Sequence, residues 1–164
     1  MALPNKTLAG ASFTLYAQPG ANPTPLTTAN LSVLASVSAI AIAANTLNVQ
    51  AIPVFGQEDA VATFSVAGSR QSDKIPVQAP AASMAVTAAW NPSDAVLQQV
   101  QTDSKALYTD RTYVVAAVDG ANIAYTAFNA RVGGFSIDAQ PGAEAKCVFT
   151  LHPRANQSGQ SNSV

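Results

Sequence analysis

Hydrophobic and polar positions alternate most legibly between Ser83 and Leu151, and the order of elements there carries most of the reading. SMAVTAAW has the period of a half-buried strand. Asn91-Pro92-Ser93-Asp94 then predicts a helix start: Asn91 can accept from the orphan N–H groups, Pro92 suits the first helical position, and Asp94 suits the positive end. The following AVLQQVQTDSK has a narrow apolar stripe of Val96, Leu97 and Val100. That stripe predicts packing on a sheet, with Gln98, Gln99, Gln101 and Asp103 facing water. RTYVVAAV is apolar on both faces, Tyr113, Val115 and Ala117 against Val114, Ala116 and Val118, which predicts a strand covered on both sides. Asp119-Gly120-Ala121-Asn122 suits a tight hairpin, so IAYTAFNARV is expected to pair back antiparallel. Gly133-Gly134 marks a bulge before Phe135 and Ile137 resume the pattern. Pro141-Gly142 has the residues of a type II turn, and AEAKCVFTL closes the set with Cys147, Phe149 and Leu151 on one face.

Before Ser83 the pattern is less regular. SFTLYA alternates, Phe13, Leu15 and Ala17 against Thr14 and Tyr16, and reads as a strand or a docking arm. The prolines of QPGANPTPLTTAN remove donors and fix φ, which predicts a loop or extended projection. LSVLASVSAIAIAA fits strand and helix spacing about equally. It is shorter than the roughly 20 apolar residues that cross a bilayer. The opening residues lack the continuous apolar segment of a secretory signal, so no membrane partner is expected. NVQAIPVF and AVATFSVAG read as a strand pair around Gly56-Gln57-Glu58-Asp59, and GSRQSDKIPVQAP reads as a polar loop. RANQSGQSNSV has no core-forming residues and reads as a disordered tail.

Composition narrows the function. A 164-residue chain can bury roughly 70% of its unfolded surface without a disulfide or metal. Its 10% charged residues compare with about 25% in ordinary soluble domains, so much of the surface is expected to be covered by other subunits. The net charge is −1 and the eight Lys and Arg are scattered, which argues against a phosphate-binding groove.

Candidate chemistry is sparse. The sequence has no GxGxxG, Walker loop, GxSxG, CxxC or HExxH, so no cofactor or metal is expected. His152, the one histidine, lies beside Pro153 at the start of the tail, a poor place for a catalytic base. Asp94, Asp119 and Asp138 read as helix-start, turn and loop residues. Cys147 reads as a small buried hydrophobe, and Trp90 as a core or interface anchor. No enzyme is expected.

The order strand, NPSD, helix, strand, DG turn, strand, then GGFSIDAQPGAEAKCVFTL resembles the major tail tube proteins of long-tailed, siphovirus-like bacteriophages. IPVFGQEDAVATFSV before a polar loop adds to the likeness, which spans about the last two-thirds of the chain. The resemblance implies a mainly β fold, a β-sandwich or barrel with one short flanking helix near residues 92–105. It would form a single tube domain over 1–151, with an arm or loop region in 1–45 and a disordered tail over 152–164. It further implies a structural subunit polymerising as stacked, hexameric rings that form the conduit for DNA ejection. Partners would be the chain itself and the tail tip, tape measure and tail terminator proteins, with DNA passing through without specific binding. The location would be the virion tail, after assembly in the host cytoplasm. In tail tube proteins the polar loop reaches toward a neighbour, which makes Arg70, Asp73 and Lys74 candidate contacts between subunits. The other reading is a β-sandwich binding module, such as a head-decoration or cell-surface domain.

Overall fold

The computed structural model describes residues 12–53, 60–64, 73–77, 82–106, 108–119 and 122–163. Its main body is a six-stranded antiparallel sheet, curled into a half-barrel, with few helices. The strands are β1 (Ser12–Ala17), β2 (Thr46–Leu47), β5 (Met84–Ala89), β6 (Arg111–Asp119), β7 (Asn122–Asp138) and β8 (Lys146–Ser163), in the order β2-β1-β6-β7-β8-β5. A separate two-stranded ribbon joins β3 (Ala60–Phe64) to β4 (Asp73–Val77). Of the sandwich and barrel forms expected, the curled sheet is the one found.

One short segment brings the two ends of the sheet together. Thr46 and Leu47 pair with Tyr16 and Leu15 of β1. Two residues later Val49 bridges Ala88 of β5, Gln50 N donates to Thr87 O at 2.8 Å, and Ala89 N donates to Asn48 O at 2.9 Å. The otherwise free edges of β1 and β5 are thus partly occupied within the chain, which limits what an incoming strand could pair with.

The curl encloses the main core. Leu15, Leu47, Met84, Val86, Tyr113, Phe128, Phe149 and Leu151 are buried in it, and α3 (Ala95–Lys105) closes it with Val96, Leu97 and Val100, the stripe expected to pack. On the other face, α1 (Thr28–Leu31) and α2 (Leu34–Ser38) bury Leu31 and Val37 against Val114 of β6 and Ala127 of β7. This explains why RTYVVAAV is apolar on both faces: Tyr113 and Val115 enter one core and Val114 the other. The ambiguous apolar run is helical at Leu31, the last residue of α1, and over α2, with a 3-10 turn at Ala43–Asn45. The proline-rich stretch before it is irregular over 18–27, as expected, but its last three residues, Thr28–Asn30, are helical in α1 instead of loop.

Local chemistry sets the turns. Ala143 N donates to Gln140 O at 3.1 Å with Gly142 at φ +78°, the turn that Pro141-Gly142 implied. The β7–β8 register shifts between Gly133 and Ser136, where Gly134 has φ +61°, so the glycine pair is a bulge. Asp119 and Asn122 are opposed across the β6–β7 hairpin.

Four expectations need correction. The helix begins at Ala95, not near 92: the Asn91 side chain is used by Ser93 N at 3.0 Å in a turn, and Asp94 caps instead, accepting from Val96 N at 2.9 Å and Leu97 N at 3.3 Å. Asp103 does not face water; it is buried beside Arg111. AVATF pairs not with NVQAIPVF but with Asp73–Val77, so part of the supposed polar loop is a strand. Pro76 fits there because a ribbon of two strands has an open edge on each side, where a missing N–H costs little. Finally, the stretch beyond Leu151, expected to be disordered, continues β8 through Ser163 and pairs Ser158–Ser163 with Phe128–Ile123 of β7. Backbone pairing orders it, a contribution that leaves no hydrophobic pattern in the sequence.

Candidate assembly surfaces

Of the residues expected to make subunit contacts, Asp73 and Lys74 lie outside the six-stranded sheet. Arg70 lies outside the described residues. Asp73 and Lys74 open β4, opposite Phe64 and Thr63 of β3. They share a two-stranded ribbon, an arrangement that by itself is only marginally stable in water.

A buried polar network fastens the irregular 18–27 segment to the sheet and helix. Arg111, 1% exposed, donates through Nε to Asp103 Oδ2 at 2.6 Å. Its Nη1 also donates to the carbonyls of Gln18 and Gly20, the latter at 3.0 Å. Next to it Thr112 Oγ1 accepts from Leu26 N at 2.9 Å and lies 2.6 Å from Asn129 Oδ1, while Asn129 Nδ2 donates to Leu26 O at 2.7 Å. A chain reversal rich in Pro and Gly is thereby pinned by side chains from β6, β7 and α3. The Tyr113 hydroxyl, fully buried in the same region, has no hydrogen-bond partner among the described residues. Burial pushes its pKa up, against the opposing pull of the Arg111 guanidinium.

A second charged cluster lies on the surface and was missed by sequence reasoning. Asp110 Oδ1 accepts from Arg131 Nε at 2.6 Å, and Asp110 Oδ2 accepts from Arg154 Nη1. The Arg131 guanidinium also stands 5.6 Å from the ring centre of Tyr108, which is 80% exposed. The three partners come from the turn before β6, from β7 and from β8, 21 and 44 residues apart, so no spacing rule could have joined them. Only the strand register would have done so.

Several apolar side chains face solvent, among them Phe13, Val33, Ile42, Ile137 and Val148. Cys147 is buried, its thiol pushed up in pKa by burial, as the small-hydrophobe reading expected. Trp90 packs edge-on against Phe135 at 5.8 Å, which fits an anchor at the rim of the core. His152 Nδ1 lies 3.0 Å from Ser83 Oγ on the surface. Among the described residues, no three His, Cys, Asp or Glu side chains are grouped to hold a metal ion, and no helix is long and apolar enough to cross a membrane.

No family model matches the chain, and no curated protein matches it. Solved structures do. A chain of the anti-feeding prophage baseplate, from its six-fold symmetrised cryo-EM structure, superposes with a TM-score of 0.62 at 11% identity, over 94% of either chain. A chain of the PVC extracellular contractile injection system, from the sheath/tube terminator in the extended state, gives 0.62 at 8% identity, over 100% of this chain and 98% of that one. The chain shares its fold with parts of contractile injection particles. At such identities the likeness concerns the path of the backbone from end to end, not particular side chains.

Proposed function

We infer that this protein is a structural subunit of a phage tail or related injection particle, and that it works by assembling with copies of itself as stacked, hexameric rings around a conduit for DNA. The observation that carries this reading is the fold match over nearly the whole of both chains to two different injection particles. The low charged fraction and the exposed Phe13, Ile42, Tyr108 and Val148 support it, since both suit surfaces that other subunits cover. The near-neutral net charge suits a conduit: a run of unpaired Lys and Arg would hold a passing duplex, and the two arginines that do come together, Arg131 and Arg154, share Asp110.

In this reading the contacts are not made mainly by the edges of the curled sheet, because residues 46–50 already occupy part of both. The β3–β4 ribbon is the better candidate. It becomes stable by adding to a neighbour, and Arg70, Asp73 and Lys74 would then sit at that junction. Further partners would be tail tip, tape measure and terminator proteins, in the virion tail after assembly in the host cytoplasm. Chemistry is not required of such a subunit.

Sedimentation velocity over a concentration series tests the proposal. A discrete species of six times the 16.8 kDa chain mass, with heavier multiples, is the expected result. A single 16.8 kDa species at every concentration would remove it and favour a binding module. Charge reversal at Asp73 and Lys74 should move the assembly threshold; no movement would leave the ring and discard those contacts.

A further inference from the structure

We propose that the Tyr108–Arg131–Arg154 surface docks the β7–β8 turn of a second copy, where Asp138 and Glu144 lie. The inference rests on the assembly reading and names one contact within it.

Apart from Lys105 in the last turn of α3, two charged groups stand out on the described surface. Arg111 is cancelled by buried Asp103, and Asp94 is spent on its helix cap. Asp110 faces both Arg131 and Arg154, so one carboxylate is shared by two guanidinium groups and that surface keeps a net positive charge. Tyr108 stands beside it almost fully exposed. Tyrosine and arginine are both enriched among the residues that dominate binding at interfaces.

The opposite sign lies at the β7–β8 turn. Asp138 and Glu144 line one shallow hollow with Lys146, two acids to one base. Asp138 and Lys146 are opposed in the strand register, and no ion pair joins Asp138 or Glu144 to a base among the described residues. Arg131 and Asp138 are seven residues apart on one strand, about 23 Å at strand rise, so the two surfaces cannot meet within a chain. They can meet between chains. Repeated head-to-tail, such a contact builds a ring or a stack, and the assembly reading takes it in that form.

Single reversals invert either surface. Arg154→Glu turns the first from net positive to net negative, and Glu144→Lys turns the second from net negative to net positive. Both side chains are exposed, and circular dichroism checks that both variants fold. Each variant alone then opposes like charges and should need at least about tenfold more protein to assemble in sedimentation velocity at low salt. A one-to-one mixture restores both contacts in alternation, acidic surface to basic turn and basic surface to acidic turn. The mixture should assemble within about twofold of the unaltered protein. Variants that assemble alone at the unaltered threshold overturn this contact and leave the assembly reading standing. Loss in both variants with no rescue in the mixture shows that each surface matters separately and overturns their pairing. An unaltered protein that remains single chains at every concentration overturns both readings together.

Discussion

Replacing Asp103 by Ala should be among the most damaging single changes in the main body, although the sequence places it on a polar helix face. The side chains of Arg111 and Asp103 are 1% and 5% exposed, and their contact is 2.6 Å. At an effective dielectric of about 20, unit charges about 4 Å apart attract by about 4 kcal/mol. Desolvating both groups opposes that gain, so the intact pair contributes little net stability. Removing one partner is different. Arg111 would keep the Gln18 and Gly20 carbonyls and Gln99 but lose its counter-charge, a situation that costs about 3–5 kcal/mol. For a chain of this length that corresponds to a melting temperature lower by roughly 6–20 °C. Urea unfolding followed by Trp90, the one tryptophan, which packs on Phe135 at the core rim, measures it. Arg111→Met should be similarly costly, and the double variant should recover about 1–3 kcal/mol relative to the sum of the singles. A single-variant loss under about 1 kcal/mol, or strictly additive losses, would refute the description of this pair as buried and mutually dependent.

Four further outcomes are expected. Tyr113→Phe should leave stability unchanged or raise it, by up to about 1–3 kcal/mol, because it removes a buried hydroxyl that has no partner among the described residues; a loss of that size would contradict this. The same variant tests a pH effect. With the folded-state pKa raised, stability is intact below about pH 10, and above it the unfolded chain releases a proton that the buried phenol keeps, so stability falls with rising pH by up to about 1.4 kcal/mol per pH unit. Tyr113→Phe should flatten that part of the slope, and an unchanged alkaline profile would refute it. Gly142→Ala should cost about 1–2 kcal/mol, since φ is +78° while the space around the missing Cβ is open; the cost is conformational, and Gly142→Asn should cost less. Asp94→Ala should cost about 1 kcal/mol in chemical denaturation through the lost cap on Val96 and Leu97, whereas Asn91→Ala should cost less.

The strands from Met84 to Leu151 were legible because their determinants are local: alternation, a proline-glycine turn, a glycine pair, a capped helix. The double-sided apolarity of RTYVVAAV even announced a second layer, although not that α1 and α2 would supply it. What stayed hidden depends on pairing between distant residues. Asp103 carries the same polar signal as any water-facing helix residue until Arg111 is brought beside it. Asp73–Val77 shows no apolar period, and becomes a strand through the backbone of Ala60–Phe64. Ser158–Ser163 is likewise held by β7 rather than by its own composition. The Asp110 cluster exists only because the register sets Arg131 opposite His152, two residues before Arg154. The candidate contacts Arg70, Asp73 and Lys74 came from resemblance alone. Their role is a matter for assembly experiments.

Self-assembly of this chain is visible by negative-stain electron microscopy of the purified protein across a concentration series. Six-fold rings, or tubes of stacked rings about as wide as a phage tail, are expected. Compact particles of one size at every concentration would contradict self-assembly.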